Sequence, residues 1–207
     1  MANPYVPDGS PSLIEALKRD AMHEKDLWDA LEALCKSCAA EGIPFGVIGA
    51  IAMRANGFIR HTENLDIVTT SEGLALIHER LVGRGISSRG SSLGKKLRDT
   101  VHNVNIDVFE SGGRAGSKES PILFPDPRGP EFALEKKGVR YATLSTLVTL
   151  KLAAGIWGER MSDLADVIRL IRANTLDERF ATQLSEPVRA KYLELLAASR
   201  RQKDEPD

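Results

Sequence analysis

An α+β fold, a small mixed β-sheet with flanking helices followed by further helices, is predicted by three observations. The apolar period changes from helical to strand-like near residue 45 and returns to helical after residue 144. The apolar runs between those points are short and end at Gly, Ser or Asn, as strands and their turns do. Strand and helix patterns are separated by short links with no internal repeat, which suits one layered unit with helices gathered at its end.

The elements follow in order. Residues 1–10 are rich in Pro and Gly and read as a tail; Ser10 then offers an N-cap and Pro11 a first-turn proline for a helix beginning SLIEALKRD. A second helix over residues 25–40 carries Leu27, Leu31, Leu34 and Cys38 near helical spacing and stops at Gly42. Residues 45–48 form a short buried strand closed by Gly49, and AIAMRANG a brief helix. Residues 65–69 make a second strand, and SEGLALIHERLVGRG an amphipathic helix ending at Gly83 and Gly85. The loop ISSRGSSLGKK leads to a hairpin, 96–101 with 104–109, turning at His102 and Asn103. After a loose stretch from 112 to 130, a strand near 139–141 precedes helices over 144–154, 162–172 and 187–200. The implied division is a core with its N-terminal helices over 11–142, a helical extension over 143–198 and a polar tail over 199–207.

Bulk properties exclude several classes. The 207 residues suffice for one domain with a small appendage. Lys plus Arg is 28 against 29 Asp plus Glu, so no overall field draws the chain to nucleic acid or membrane. No apolar run approaches the roughly 20 residues of a membrane span, and the start of the chain lacks signal-peptide features, so a cytoplasmic location is expected. Cys35 and Cys38 form a lone C-x-x-C without the further ligands zinc needs, and read as small, mostly buried helix residues. His23, His61, His78 and His102 show no ligand spacing, and Trp28 and Trp157 lie on helical segments as core or interface residues.

Chemistry concentrates on two strands. In a strand, positions i and i+2 share a face, so Asn64 and Asp66 project together. In VNIDVF the apolar Val104, Ile106 and Val108 face the core and leave Asn105 and Asp107 on the other side. Hard divalent cations prefer oxygen ligands, and phosphoryl or nucleotidyl transfer uses carboxylates on adjacent strands to hold them. Glu63 faces the wrong way unless the strand starts after it or bulges. Taken alone, Asp66 is a solvated strand-end aspartate.

The segment VIGAIAMRANGFIRHTENLDIV resembles the front end of the nucleotidyltransferase superfamily, in particular the AbiEii-like and antitoxin-like minimal nucleotidyltransferases of bacteria. There a strand runs into a Gly-Gly or Gly-Ser pair opening a short helix, and an Arg-x-Thr-x-Asp-x-Asp segment carries two metal-binding aspartates. Gly49 and Ala50 lie at the glycine pair, Arg60 and Thr62 match Arg-x-Thr, Asn64 stands at the first aspartate, Asp66 at the second, and Asp107 matches the third. GKKLRDT, ILFPDP and YATLSTLVTLKLAAG…ERMSDLADVIRLI extend the likeness over roughly residues 45–172.

The resemblance implies a minimal nucleotidyltransferase fold with C-terminal helices. It implies transfer of a nucleoside monophosphate from an NTP to a hydroxyl acceptor on protein, tRNA or a small molecule. Asp66 and Asp107 would hold Mg²⁺ or Mn²⁺ and Asn64 would be a weak third ligand; Gly49 would let phosphates approach. Ala50 lacks a serine's hydroxyl. The alternative is a catalytically degenerate relative, a pseudoenzyme acting as nucleotide sensor or as partner in a toxin–antitoxin or phage-defence pair, which the amide at 64 favours. Arg60 suits a phosphate or an internal salt bridge. Lys95 and Lys96 suit either nucleotide phosphates or a charged hairpin edge. Lys151 with Asp163 and Asp166 reads first as an ion pair between packed helices.

Overall fold

The computed structural model describes residues 13–89 and 94–201, with side chains from residue 21 onward. The N-terminal tail and its Ser10–Pro11 helix start, part of the ISSRGSSLGKK loop, and residues 202–207 of the C-terminal tail lie outside the described residues.

Helix α1 spans Leu13–Ala40 as one element where two were expected. The stretch between the two expected helices contains no Gly or Pro to break the ladder, and the ion pairs Lys25–Asp29 and Glu32–Lys36, each four residues apart, support its exposed face. Its buried face carries Leu27, Leu31, Leu34 and Cys38. Burial pushes the Cys38 thiol up to about 12, which leaves it a small apolar residue rather than a nucleophile.

Strand β1 (Phe45–Val47), helix α2 (Gly49–Ala55) and strand β2 (Asn64–Thr69) follow. Helix α3 (Ser71–Leu76) continues as a wider π turn over Ile77–Leu81, after which Gly83 and Gly85 take positive φ. Strands β3 (Ile86–Ser88), β4 (Lys96–Asp99) and β5 (Val104–Glu110) lead to a hairpin of β6 (Leu134–Lys136) and β7 (Val139–Tyr141). Strands β3 and β6 are absent from the sequence reading because three-residue edge strands such as ISS and LEK carry no alternation to detect. The chain ends with α4 (Leu144–Trp157), α5 (Met161–Ala173) and α6 (Arg189–Arg201). Residues 199–201 therefore belong to α6, and Ser199 is buried, donating its hydroxyl to Leu196 O at 2.7 Å.

The sheet is mixed, with order β3-β4-β5-β2-β1-β7-β6. Strands β2 and β5 pair in parallel, while β1 and β4 flank them antiparallel. On one face Leu65, Ile67 and Ile106 pack under Leu27, Leu31 and Leu34 of α1. On the other, Val68 and Ile48 join Leu147, Val148 and Leu170 of α4 and α5. The helices α4 and α5 cross closely at Gly155, where a Cβ would fall inside the Leu164 side chain. No helix among the described residues is long and apolar enough to cross a membrane.

Candidate active site

Alternation along β2 sends Leu65 and Ile67 to the α1 side and leaves Asn64 and Asp66 on the other. The Thr62 hydroxyl bonds the backbone of Asn64, accepting its N–H at 3.3 Å and donating to its C=O at 3.1 Å, and so sets where the strand starts. Glu63 is exposed and precedes the strand.

Register then brings distant residues level. Lys96, Asp107 and Asp66 form one row across β4, β5 and β2, and Arg98, Asn105 and Asn64 form the next. Lys96 Nζ donates to Asp107 Oδ1 at 2.8 Å. Asn64 Nδ2 donates to Asp107 Oδ2 at 3.3 Å, while Asn64 Oδ1 accepts from Asn105 Nδ2 at 3.4 Å. Arg89 Nη1 donates to Asn105 Oδ1 at 2.8 Å and ends the chain of contacts. Both oxygens of Asp107 are thus engaged, and the amide oxygen of Asn64 is turned toward Asn105.

Asp66 differs. Its carboxylate makes no hydrogen bond among the described residues, is half-buried, and rests on Gly49 at the start of α2. Burial first and the charge of Asp107 second lift this carboxyl to about 6, against the pull of Lys151, Arg160 and Arg60. Gly49 has φ +64°, and a Cβ there would fall inside the Asp66 carboxylate, so both backbone and space call for glycine. Ala50 is buried in the first turn of α2 and presents no polar atom.

Below Asp66 opens a cleft of about 210 Å³ whose walls include Gly49, Arg60, Arg114, Lys151 and Arg160. Lys151 is 6% exposed and reaches Asp163 Oδ1 at 2.8 Å and Asp166 Oδ2 at 2.7 Å, the ion pair between packed helices read from the sequence. Asp166 also meets Arg60 at 2.6 Å and Arg169 at 2.9 Å, and Asp163 meets Arg160 at 2.9 Å. Four cations therefore share two carboxylates, a surplus of two positive charges in the network, and three of the four, Arg60, Lys151 and Arg160, line the cleft with Asp66. Arg60 takes the internal salt bridge while keeping 37% of its side chain exposed. Lys95 is tied to Glu110 at 2.7 Å, away from Asp66.

Arg114 and Arg160 were missed by sequence reasoning. Each sits in or beside an irregular segment, where no periodicity indicates a facing direction.

No protein-family model matches the sequence, and no curated protein does. Among solved structures, the chain is similar to ANT(2″)-Ia in complex with adenylyl-2″-tobramycin, at 16% identity, over 84% of this chain and 97% of that one, with a TM-score of 0.51. The fold is that of the nucleotidyltransferases. A candidate nucleotidyltransferase from Helicobacter pylori aligns at 17% identity over 91% of this chain and 84% of that one, with a TM-score of 0.47.

Among the described residues no three His, Cys, Asp or Glu side chains gather as a metal cluster. The unpaired Asp66 carboxylate is free to accept one hard cation, whereas Asp107 already has two hydrogen-bond donors. The arrangement fits one ion better than two.

Proposed function

We propose that this protein is a nucleotidyltransferase that moves a nucleoside monophosphate from an NTP to a hydroxyl acceptor. The observation that carries the reading is the level pairing of Asp66 with Asp107 on parallel strands, with Gly49 under Asp66 and a cationic cleft beside it. In such a site the acceptor oxygen bonds to the α-phosphorus as the bond to the bridging oxygen breaks. Pyrophosphate leaves with the electron pair, and the acceptor proton is released to solvent. A bound Mg²⁺ or Mn²⁺ would neutralise phosphate charge and activate the acceptor oxygen.

This chain's own contributions are more specific. Asp66 is the metal-holding carboxylate, and Gly49 removes the side chain that would cover it. Arg60, Lys151 and Arg160 supply positive charge toward the triphosphate. The acceptor, whether protein, tRNA or small molecule, would enter by the wall built from α4 and α5.

A second reading has its own support. With an amide at position 64 and a lysine on Asp107, the protein can be a degenerate nucleotidyltransferase that binds nucleotide as a sensor, or serves as partner in a toxin–antitoxin or defence pair.

The two separate by incubation of the protein with each α-³²P-labelled NTP, Mg²⁺ or Mn²⁺, and total cell RNA and protein, alongside Asp66→Ala. Label transfer lost in the variant supports the enzyme and identifies the acceptor class. Nucleotide binding without transfer supports the sensor, and absence of both overturns the nucleotide reading.

A further inference from the structure

The row Lys96–Asp107–Asp66 places an ammonium, a carboxylate and a second carboxylate side by side on three hydrogen-bonded strands. Neighbouring strands lie about 4.8 Å apart, so Asp107 has a like charge on one flank and a fixed cation on the other. Two level carboxylates without a lysine would draw a cation between them, since each raises the cost of ionising its neighbour. Here Lys96 already neutralises one of them through a 2.8 Å charge-assisted bond. Asn64 completes the arrangement by giving its amide N–H to the other Asp107 oxygen and turning its own oxygen to Asn105. An ionised aspartate at 64 could still accept from Asn105 but could not donate to Asp107, so amide and lysine form one consistent set of donors around that carboxylate.

We propose that Lys96 takes the place of a second divalent cation, serving as the permanent counter-charge of Asp107, so that this centre binds one ion fewer than its carboxylates would otherwise hold. The inference rests on the nucleotidyltransferase reading of the site and deepens it, assigning Lys96 to the acidic strand pair rather than to the nucleotide. Lys96 is a positioning residue: it holds Asp107 and fixes the ion count without touching the reacting atoms. Its side chain is 69% exposed, so replacing it leaves the fold intact while freeing Asp107.

The test counts Mn²⁺ bound per chain by electron paramagnetic resonance, without nucleotide, in the parent, Lys96→Met, Lys96→Arg and Lys96→Met/Asp107→Asn proteins, with circular dichroism as the folding check. The expected result is that Lys96→Met binds one more Mn²⁺ than the parent, at an affinity at least about tenfold above any corresponding site in the parent, a difference of about 1.4 kcal/mol. Lys96→Arg should keep the parent count, and Asp107→Asn should abolish the gain. An unchanged count in Lys96→Met at millimolar Mn²⁺, or a gain that survives Asp107→Asn, would overturn the inference. Because no nucleotide is present, that failure is distinct from failure of the label-transfer experiment.

Discussion

Gly49 and Lys151 show how far single residues determine this site. At Gly49 the positive φ and the contact with Asp66 act together, so Gly49→Ala must either strain the backbone or displace the carboxylate. We expect a loss of about 1–3 kcal/mol in urea unfolding, together with weakened nucleotide binding. Lys151 sits between Asp163 and Asp166, all three buried. Lys151→Ala removes the cation that joins the two carboxylates, leaving Asp163 to Arg160 and Asp166 to Arg60 and Arg169, and equilibrium unfolding should register a cost of about 1–3 kcal/mol. A change near zero in either protein would show that the contact carries no weight. Lys151 was legible from the sequence because an apolar helix face bearing a lysine needs a partner, and Asp163 and Asp166 share a face of the next helix. The contacts of Lys96 were not, because its partner depends on a register that only the assembled sheet fixes.

Among the elements, the β4–β5 hairpin has its turn closed by one side chain. Asp99 accepts from Val101 N at 2.8 Å, His102 N at 2.9 Å and His102 Nδ1 at 3.0 Å, closing the turn. Burial pushes this carboxyl up, but the hydrogen bonds from the His102 side chain and from the His102 and Val101 amides outweigh it, holding the group below the ordinary carboxylate range. A depressed folded-state value means its stabilisation is fully present above the unfolded value of about 4 and is lost as pH falls through the folded value. Acid titration should therefore destabilise the parent more than Asp99→Asn below pH ~4, read as the slope of unfolding free energy against pH; equal slopes would refute this role. Elements with strong periodicity or clear stops, such as β2, β5, α4 and α5, were legible in the sequence. Strand β6, which carries mainly charged residues at the sheet edge, and the continuity of α1 were not. Both depend on what an element packs against rather than on its own pattern.

For the whole molecule, the sheet separates two apolar clusters, one under α1 and one under α4, α5 and α6. Leu34→Ala and Leu170→Ala probe one each, and each should cost about 2–5 kcal/mol because both side chains are almost wholly buried. Their double variant should be additive within about 0.5 kcal/mol, since the sheet stands between them; marked non-additivity would show that the clusters communicate. The parallel pairing of β2 with β5 bears on kinetics as well. Asp66 and Asp107 become neighbours only after α3, β3 and β4 have been laid down between them, so their row is a non-local contact whose loop closure must precede any reward. The acidic pair therefore cannot preassemble on a short nascent fragment. During refolding, any cation or nucleotide that requires both carboxylates should be captured no earlier than the formation of the central sheet.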